Sequence, residues 1–153
     1  MLNFDQIDLR ILQVLQQDAS LSQRGAAERV GLSQNAYWRR LRRLNDSGVI
    51  KGQTVVLDRE QLGVNFVAFV LIKTKFHASG WVAEFGSHVQ GIPQVTDFCR
   101  ISGEYDYLLK VVAISLKQFD AVYQRLIEGF ELQSVTSFMV MEAIAENRPI
   151  AFE

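Results

Sequence analysis

The hydrophobic period of this chain changes once, near Gly63, and that change limits the folds open to it. Up to Asp46, apolar residues recur at the spacing of helices with one buried face. From Phe66 onward, short β-prone runs alternate with helical stretches. With 153 residues, of which 48% are hydrophobic, the chain has room for two small domains with packed cores. Asp58 to Gly63 is polar apart from Leu62 and marks the boundary.

The first half reads as three helices. Helix one is expected from Phe4 to Gln17, capped by Asn3, with Phe4, Ile7, Ile11, Val14 and Leu15 on its buried face. Helix two is expected from Gln23 to Val30, capped by Ser22, and Gly31 supplies a left-handed C-terminal residue. Ser33 then caps helix three, which runs to Asp46. A short helix, a tight glycine turn and a second helix form the helix-turn-helix layout. Gln53 to Leu57 reads as a strand leading into the linker.

The second half reads as strand Phe66–Lys75, helix Gly80–Val89, strands Gln94–Ile101 and Tyr107–Ile114, helix Leu116–Phe130 and strand Ser134–Ile144. This β-α-β-β-α-β order is the split ferredoxin-like pattern. The fold class expected is therefore α+β: residues 1–52 as a winged-helix-like helix-turn-helix domain, 53–63 as strand and linker, and 64–153 as a ferredoxin-like domain. In such a domain two helices cover one sheet face. The strands here are apolar on both faces, so the open face predicts sheet-to-sheet dimerisation.

Helix three carries Trp38-Arg39-Arg40-Leu41-Arg42-Arg43. At 100° per residue, Tyr37, Leu41 and Leu44 fall together and face the core. Asn35, Arg39 and Arg42 lie nearly opposite, and Trp38 and Arg43 flank them. Arg40 falls beside the apolar stripe, where an internal ion pair or a flanking phosphate suits it. The chemistry fits double-stranded DNA. Guanidinium bonds guanine O6 and N7 in a bidentate way, and Asn does the same with adenine. Ser33 and Gln34, at the helix start, suit phosphate, aided by the helix N-terminus. Arg43 suits a phosphate as well.

Charge is consistent with this placement. The net charge is −1. Residues 1–60 hold nine Lys/Arg and seven Asp/Glu, a balance of +2, against seven and ten after residue 60, a balance of −3. The basic excess is small but concentrated between Arg39 and Arg43. Local density sets the field at a phosphate, because salt screens charges beyond about 8 Å.

Other classes find little support. The longest apolar run, Phe66 to Ile72, is too short to span a bilayer as a helix, and the N-terminus lacks a signal-peptide pattern, so no membrane partner and a cytoplasmic location are expected. Cys99 is the only cysteine, which excludes an internal disulfide, and a buried core position is expected for it. His77 and His88 stand apart and read as surface residues. There is no metal-ligand spacing, phosphate loop, HExxH or GxSxG pattern, so no cofactor, no metal and no enzymatic activity are expected.

These pieces, in order, resemble the Lrp/AsnC (leucine-responsive, feast/famine) family of regulators. The resemblance rests on Asp5-x-x-Asp8-x-x-Ile11-Leu12, Val30-Gly31-Leu32-Ser33, Arg39-Arg40-x-x-Arg43-Leu44, Gly48-Val49-Ile50, Leu62-Gly63, Pro93-x-Val95 and Gly103-Glu104-Tyr105-Asp106-Tyr107-Leu108-Leu109-Lys110-Val111. Gly25-Ala26-Ala27 departs from the family's acidic-Leu-Ala run. The resemblance implies a sequence-specific DNA-binding transcription regulator, homodimers that assemble further to octamers, and control by an amino acid or similar metabolite. It places effectors near the turn before Tyr107, at a subunit interface. On that basis Asp106 is the candidate acceptor for an ammonium and the backbone at Gly103 the candidate donor to a carboxylate. Tyr105, Thr136 and Ser137 complete the candidate set, and Phe98 and Cys99 are further candidates to line the pocket. Two other readings stay open: a metabolite-binding allosteric subunit of an enzyme, and a protein that organises DNA without sequence preference.

Overall fold

A computed structural model describes residues 4–152 of the chain. It divides into two compact units. One runs up to Val56 and takes in the chain again from Ala145; the other is Leu57–Ile144. The tail after Ile144 therefore groups with the first unit, not with the ferredoxin-like half to which the sequence pattern assigns it.

The first unit contains α1 (Gln6–Gln17), α2 (Gln23–Val30) and α3 (Gln34–Asp46). Ser22 and Ser33 cap α2 and α3 through their hydroxyls, accepting from the Gly25 and Ala36 amides. Gly31 ends α2 at φ 77°, and the Leu32 amide bonds back to Ala27 O. That left-handed residue turns the chain sharply enough to start α3 three residues later. Tyr37 and Leu44 are buried against Ile11, Leu12, Ala26, Ala27 and Val30. Gly25 packs loosely, since an added Cβ would meet Ser22 Oγ at 3.4 Å and Leu21 Cδ2 at 3.9 Å.

The cap of α1 differs from the expected one. Asn3 lies outside the described residues, and the capping residue is Asp5. Its carboxylate accepts from the Ile7 and Asp8 amides at 3.0 and 2.9 Å. Asp8 returns the bond, accepting from the Asp5 amide at 3.1 Å. The reciprocal pair is a capping box built from two aspartates.

Asp8 does more than cap. It is fully buried, yet Arg40 Nη1 donates to it at 2.8 Å, Arg43 Nη2 also donates to it, and Arg40 Nη1 reaches Asp5 at 2.6 Å. Two arginines one turn apart on α3 thus grip one carboxylate on α1. A charge this deep persists only when its oxygens are paired. Here all three arginine bonds serve to fix α3 against α1.

Gln53–Leu57, expected as a strand, forms no ladder; Val55 and Val56 are 75% and 74% exposed. β-branched residues favour extended backbone but need a neighbour to pair with, and none lies alongside among the described residues. Asp58–Gly63, expected as a linker, has local structure of its own. The Gln61 amide donates to Asp58 Oδ1 at 3.1 Å and the Leu62 amide to Asp58 O at 3.3 Å, which winds a helical turn.

The second unit holds β1 (Phe66–Lys73), α4 (Ser79–Gln90), β2 (Val95–Arg100), β3 (Tyr107–Ala113), α5 (Leu116–Ile127) and β4 (Ser134–Met139). The sheet order is β2-β3-β1-β4, with every neighbouring pair antiparallel, as the ferredoxin-like pattern requires. Ala68, Val70, Ile72, Leu109 and Val111 point from the sheet to α4 and α5. Phe85 centres an aromatic cluster, stacked on Trp81 at 5.0 Å and edge-on to Phe130 at 5.1 Å. The opposite face carries Phe69, Leu71, Leu108, Lys110, Val112 and Phe138, with Asp97, Lys73 and Thr136 toward the rim.

One further expectation fails and one needs refining. Cys99 is exposed, not buried: it lies opposite Leu108, one residue out of phase with the core-facing Phe98, on an edge strand. His88 is half-buried, with its Nε2 2.7 Å from Arg125 O and its ring 4.9 Å from that of Phe130.

Removing Asp8 tests the clamp. Asp8→Ala is expected to lower the unfolding free energy by about 2–3 kcal/mol in a denaturant titration, short of the roughly 3–5 for fully buried pairs because both arginines can rehydrate. Acid acts on the same cluster. The Arg40 guanidinium, then the Asp8 amide, hold the Asp5 carboxyl below its ordinary value of 3.8. A lowered folded pKa stabilises above that ordinary value, and the contribution is lost as pH falls through the folded one. Asp5→Asn should therefore be less stable than the parent at neutral pH and converge with it in acid.

Candidate functional site

The exposed face of α3 follows from how its core face is held. Tyr37 and Leu44 sink into the first unit, so Asn35, Arg39 and Arg42 are turned outward, as the helical wheel requires. Arg39 forms no ion pair among the described residues. Arg42 lies over the Trp38 ring, with Cζ 5.6 Å from its centroid. Its Nε is 3.9 Å from Asp46, an exposed i,i+4 pair of small energetic weight. Trp38 is 47% exposed, and the guanidinium covers part of that apolar surface.

The four arginines are thus in two states. Arg40 and Arg43 are bound to Asp8, while Arg39 and Arg42 stand in solvent. Arg40 is placed where the wheel puts it. Arg43 is not the free side chain the wheel suggests, although 58% of it remains exposed. Ser33 Oγ is occupied as an acceptor from the Ala36 amide at 3.3 Å, and Gln34 is exposed in the first turn. The turn also brings Gln23 of α2 beside Trp38 and Arg42, around a shallow hollow of about 250 Å³. Gln23 is absent from the sequence-derived set. Its only signal is position: it opens the helix that precedes the turn.

In the second unit, the turn before Tyr107 has Gly103 exposed at φ 131° and Tyr105 and Asp106 half-buried. Asp106 is already employed. Its Oδ2 accepts from the Thr74 amide at 2.8 Å, its amide donates to Ile72 O at 2.9 Å, and its carbonyl accepts from the Ile101 amide at 2.9 Å. It ties the end of β1 to the start of β3. Oδ1 has no such bond among the described residues. Thr136 and Ser137 are not gathered to this turn. They face Leu71 and Val70 on β4, so β1 separates them from β3, and alternation sends them to opposite sheet faces. Among the described residues no cluster of His, Cys, Asp and Glu has the arrangement of a metal site. No helix there is long and apolar enough to cross a membrane.

Comparison with known proteins agrees with both units. Residues 4–51 match the winged helix-turn-helix DNA-binding model, and residues 67–150 match the Lrp/AsnC ligand binding domain. The chain is 41% identical over 150 residues to the DNA-binding transcriptional activator DecR of Escherichia coli K12, covering 97% of this chain and 99% of that one. An AsnC family transcriptional regulator from Agrobacterium tumefaciens superposes with TM-score 0.90 at 36% identity, over 94% of each chain. A Neisseria meningitidis transcriptional regulator, solved in complex with L-Met, does so with TM-score 0.90 at 28% identity, over 97% of each. With a DNA-binding helix-turn-helix followed by a ligand-binding domain, the chain belongs to the Lrp/AsnC family of transcription regulators.

Proposed function

We propose that Asn35, Arg39 and Arg42 read base edges in the major groove, with Ser33, Gln34 and the α3 N-terminus on flanking phosphate. The observation that carries this reading is the division of the arginines by Asp8. Arg39 and Arg42 are left to a partner, with the Arg42 guanidinium resting over the Trp38 ring. Arg43 faces a phosphate with the nitrogen that Asp8 does not take. In an anisotropy titration, Arg39→Ala should cost roughly 1–3 kcal/mol on the operator and relax one base position. Arg40→Ala should lower the unfolding midpoint and leave base preference unchanged. Equal losses on operator and random DNA for Arg39→Ala would overturn the reading and favour DNA organisation without sequence preference.

The open sheet face is assigned to a second copy of the chain. It is largely apolar, with Phe69 and Phe138 37% and 55% exposed, and Lys110 stands among these residues, opposite Phe69 and beside Asp97. The exposed Thr54–Leu57 run, which forms no ladder, offers a second surface. A two-fold pair addresses two half-sites about one helical turn apart, or a multiple of it. Further association to octamers would use surfaces other than this sheet. Phe138→Asp should convert the dimer to monomer in sedimentation velocity, while circular dichroism stays unchanged.

The effector is assigned to the amino acids, as for the Neisseria regulator solved with L-Met. Gly103, Tyr105 and Asp106 form its polar end, with Asp106 Oδ1 facing the ammonium. Thr136 and Ser137 contribute only if another copy brings them in. Asp106→Ala would also break the bond to Thr74, so Asp106→Asn is the sharper variant. It keeps that acceptor and removes the charge. It should leave the unliganded melting temperature near the parent's and abolish the shift produced by whichever of the twenty amino acids stabilises the parent. A retained shift would move the site elsewhere.

A further inference from the structure

The chain's last residues return to the first unit and are held there by a specific contact. The Gln16 side-chain amide, on the last turn of α1, makes both of its bonds to one residue. Nε2 donates to Ile150 O at 3.1 Å, and the Ile150 amide donates to Gln16 Oε1 at 2.8 Å. This is the pairing that one peptide unit makes with another in an antiparallel ladder, with a side chain standing in for the neighbouring strand. Two residues on, Phe152 packs against the helical core and is partly buried. Between these anchors, Ile150 and Phe152 wall an apolar cavity of about 320 Å³ whose other sides are Leu12 and Leu15 of α1 and the Val49–Thr54 segment.

We infer that the groove between α1 and Val49–Thr54 is a docking site for an extended peptide, and that its occupant is the chain's own C-terminal segment, Arg148–Phe152. Recognition has two parts. The Gln16 amide reads the backbone of an extended residue without regard to side chain, and the apolar groove selects an aromatic two positions later, on the same side of an extended chain. This is strand addition in miniature, with backbone bonds for affinity and a pocket for specificity. The consequence lies in what the tail touches. Val49–Thr54 follows α3 directly, so the docked tail holds the segment through which the reading helix is joined to Leu57–Ile144. That second unit is connected to the first through both of its ends. Asn35, Arg39 and Arg42 do not line the cavity, so the docked tail leaves the reading face uncovered.

The assignment is independent of the DNA and effector readings, and its test uses neither. In the full chain with Cys99→Ser, Ala19→Cys and Ile150→Cys place thiols on two walls of the cavity while keeping Gln16 and the Ile150 backbone. A short bis-thiol crosslinker should join them within one chain, giving a fast-migrating monomer on a denaturing gel. Adding Gln16→Ala should lower that yield severalfold. An interchain product would replace the chain's own tail by that of a second copy and overturn the assignment; no product would overturn the docking itself. As a separate readout on the otherwise unaltered chain, Gln16→Ala should speed hydrogen exchange at the Ile150 amide roughly tenfold. Gln16→Glu, which keeps the acceptor but not the donor, should fall between. Exchange equal in all three would also overturn the inference.

Discussion

Asp8 has no solvent exposure and carries a charge, and the arrangement of the first unit depends on how that charge is met. A lone carboxylate in this position would neutralise or pull the helices apart. Three donors prevent this: the Asp5 amide, Arg40 and Arg43. Because the two arginines lie one turn apart on α3, they lock the rotation of that helix about its own axis as well as its distance from α1. Rotation is the quantity a reading helix must control. A turn of one residue step, about 100°, would carry the outward set more than halfway toward the core. Hydrophobic contact at Tyr37 and Leu44 holds the helix in place but tolerates small rotations; a pair of charge-assisted bonds to one fixed carboxylate does not.

Much of this was legible in the sequence, and the parts that were not share a cause. Ser22, Gly31 and Ser33 act on residues within five positions of themselves, so spacing alone places α2, the turn and α3. The wheel separates Tyr37 and Leu44 from Arg39 and Arg42 because helical phase is a local property. The order of strands and helices after Gly63 follows from period in the same way. Arg43 defeats this logic. Its phase puts it on the flank of the exposed face, but its partner Asp8 lies 35 residues away, and no periodicity encodes that pairing. Asp106 is similar: its chemistry suits an ammonium, yet one of its oxygens serves Thr74, 32 residues earlier.

The strand expected at Gln53–Leu57 and the burial expected for Cys99 fail for a different reason. Both rest on residue type. β-branched residues at 54–56 describe a chain that prefers to be extended; a strand also needs a neighbour. Cysteine is among the most often buried residues, but an edge strand alternates its faces without regard to that tendency. The candidate effector residues divide along the same line. Gly103, Tyr105 and Asp106 share one turn and stay together. Thr136 and Ser137 were joined to them by proximity in a folded family pattern, and the ladder sets β1 between.

The division of the arginines also bears on the choice between specific and nonspecific DNA binding. Affinity without sequence preference comes from the number of phosphates neutralised. With Arg40 and Arg43 bound to Asp8, each copy's reading helix offers few unpaired cations, and the whole chain carries a net charge of −1. By this rule one such helix adds little attraction that is independent of sequence. Joining two copies makes the second contact intramolecular, which raises affinity steeply where both half-sites are present and little where they are not. In the proposed dimer, the same economy of charge that limits one helix makes discrimination depend on the pair. A protein that compacted DNA indiscriminately would gain by releasing Arg40 and Arg43 from their carboxylate; here the fold retains both.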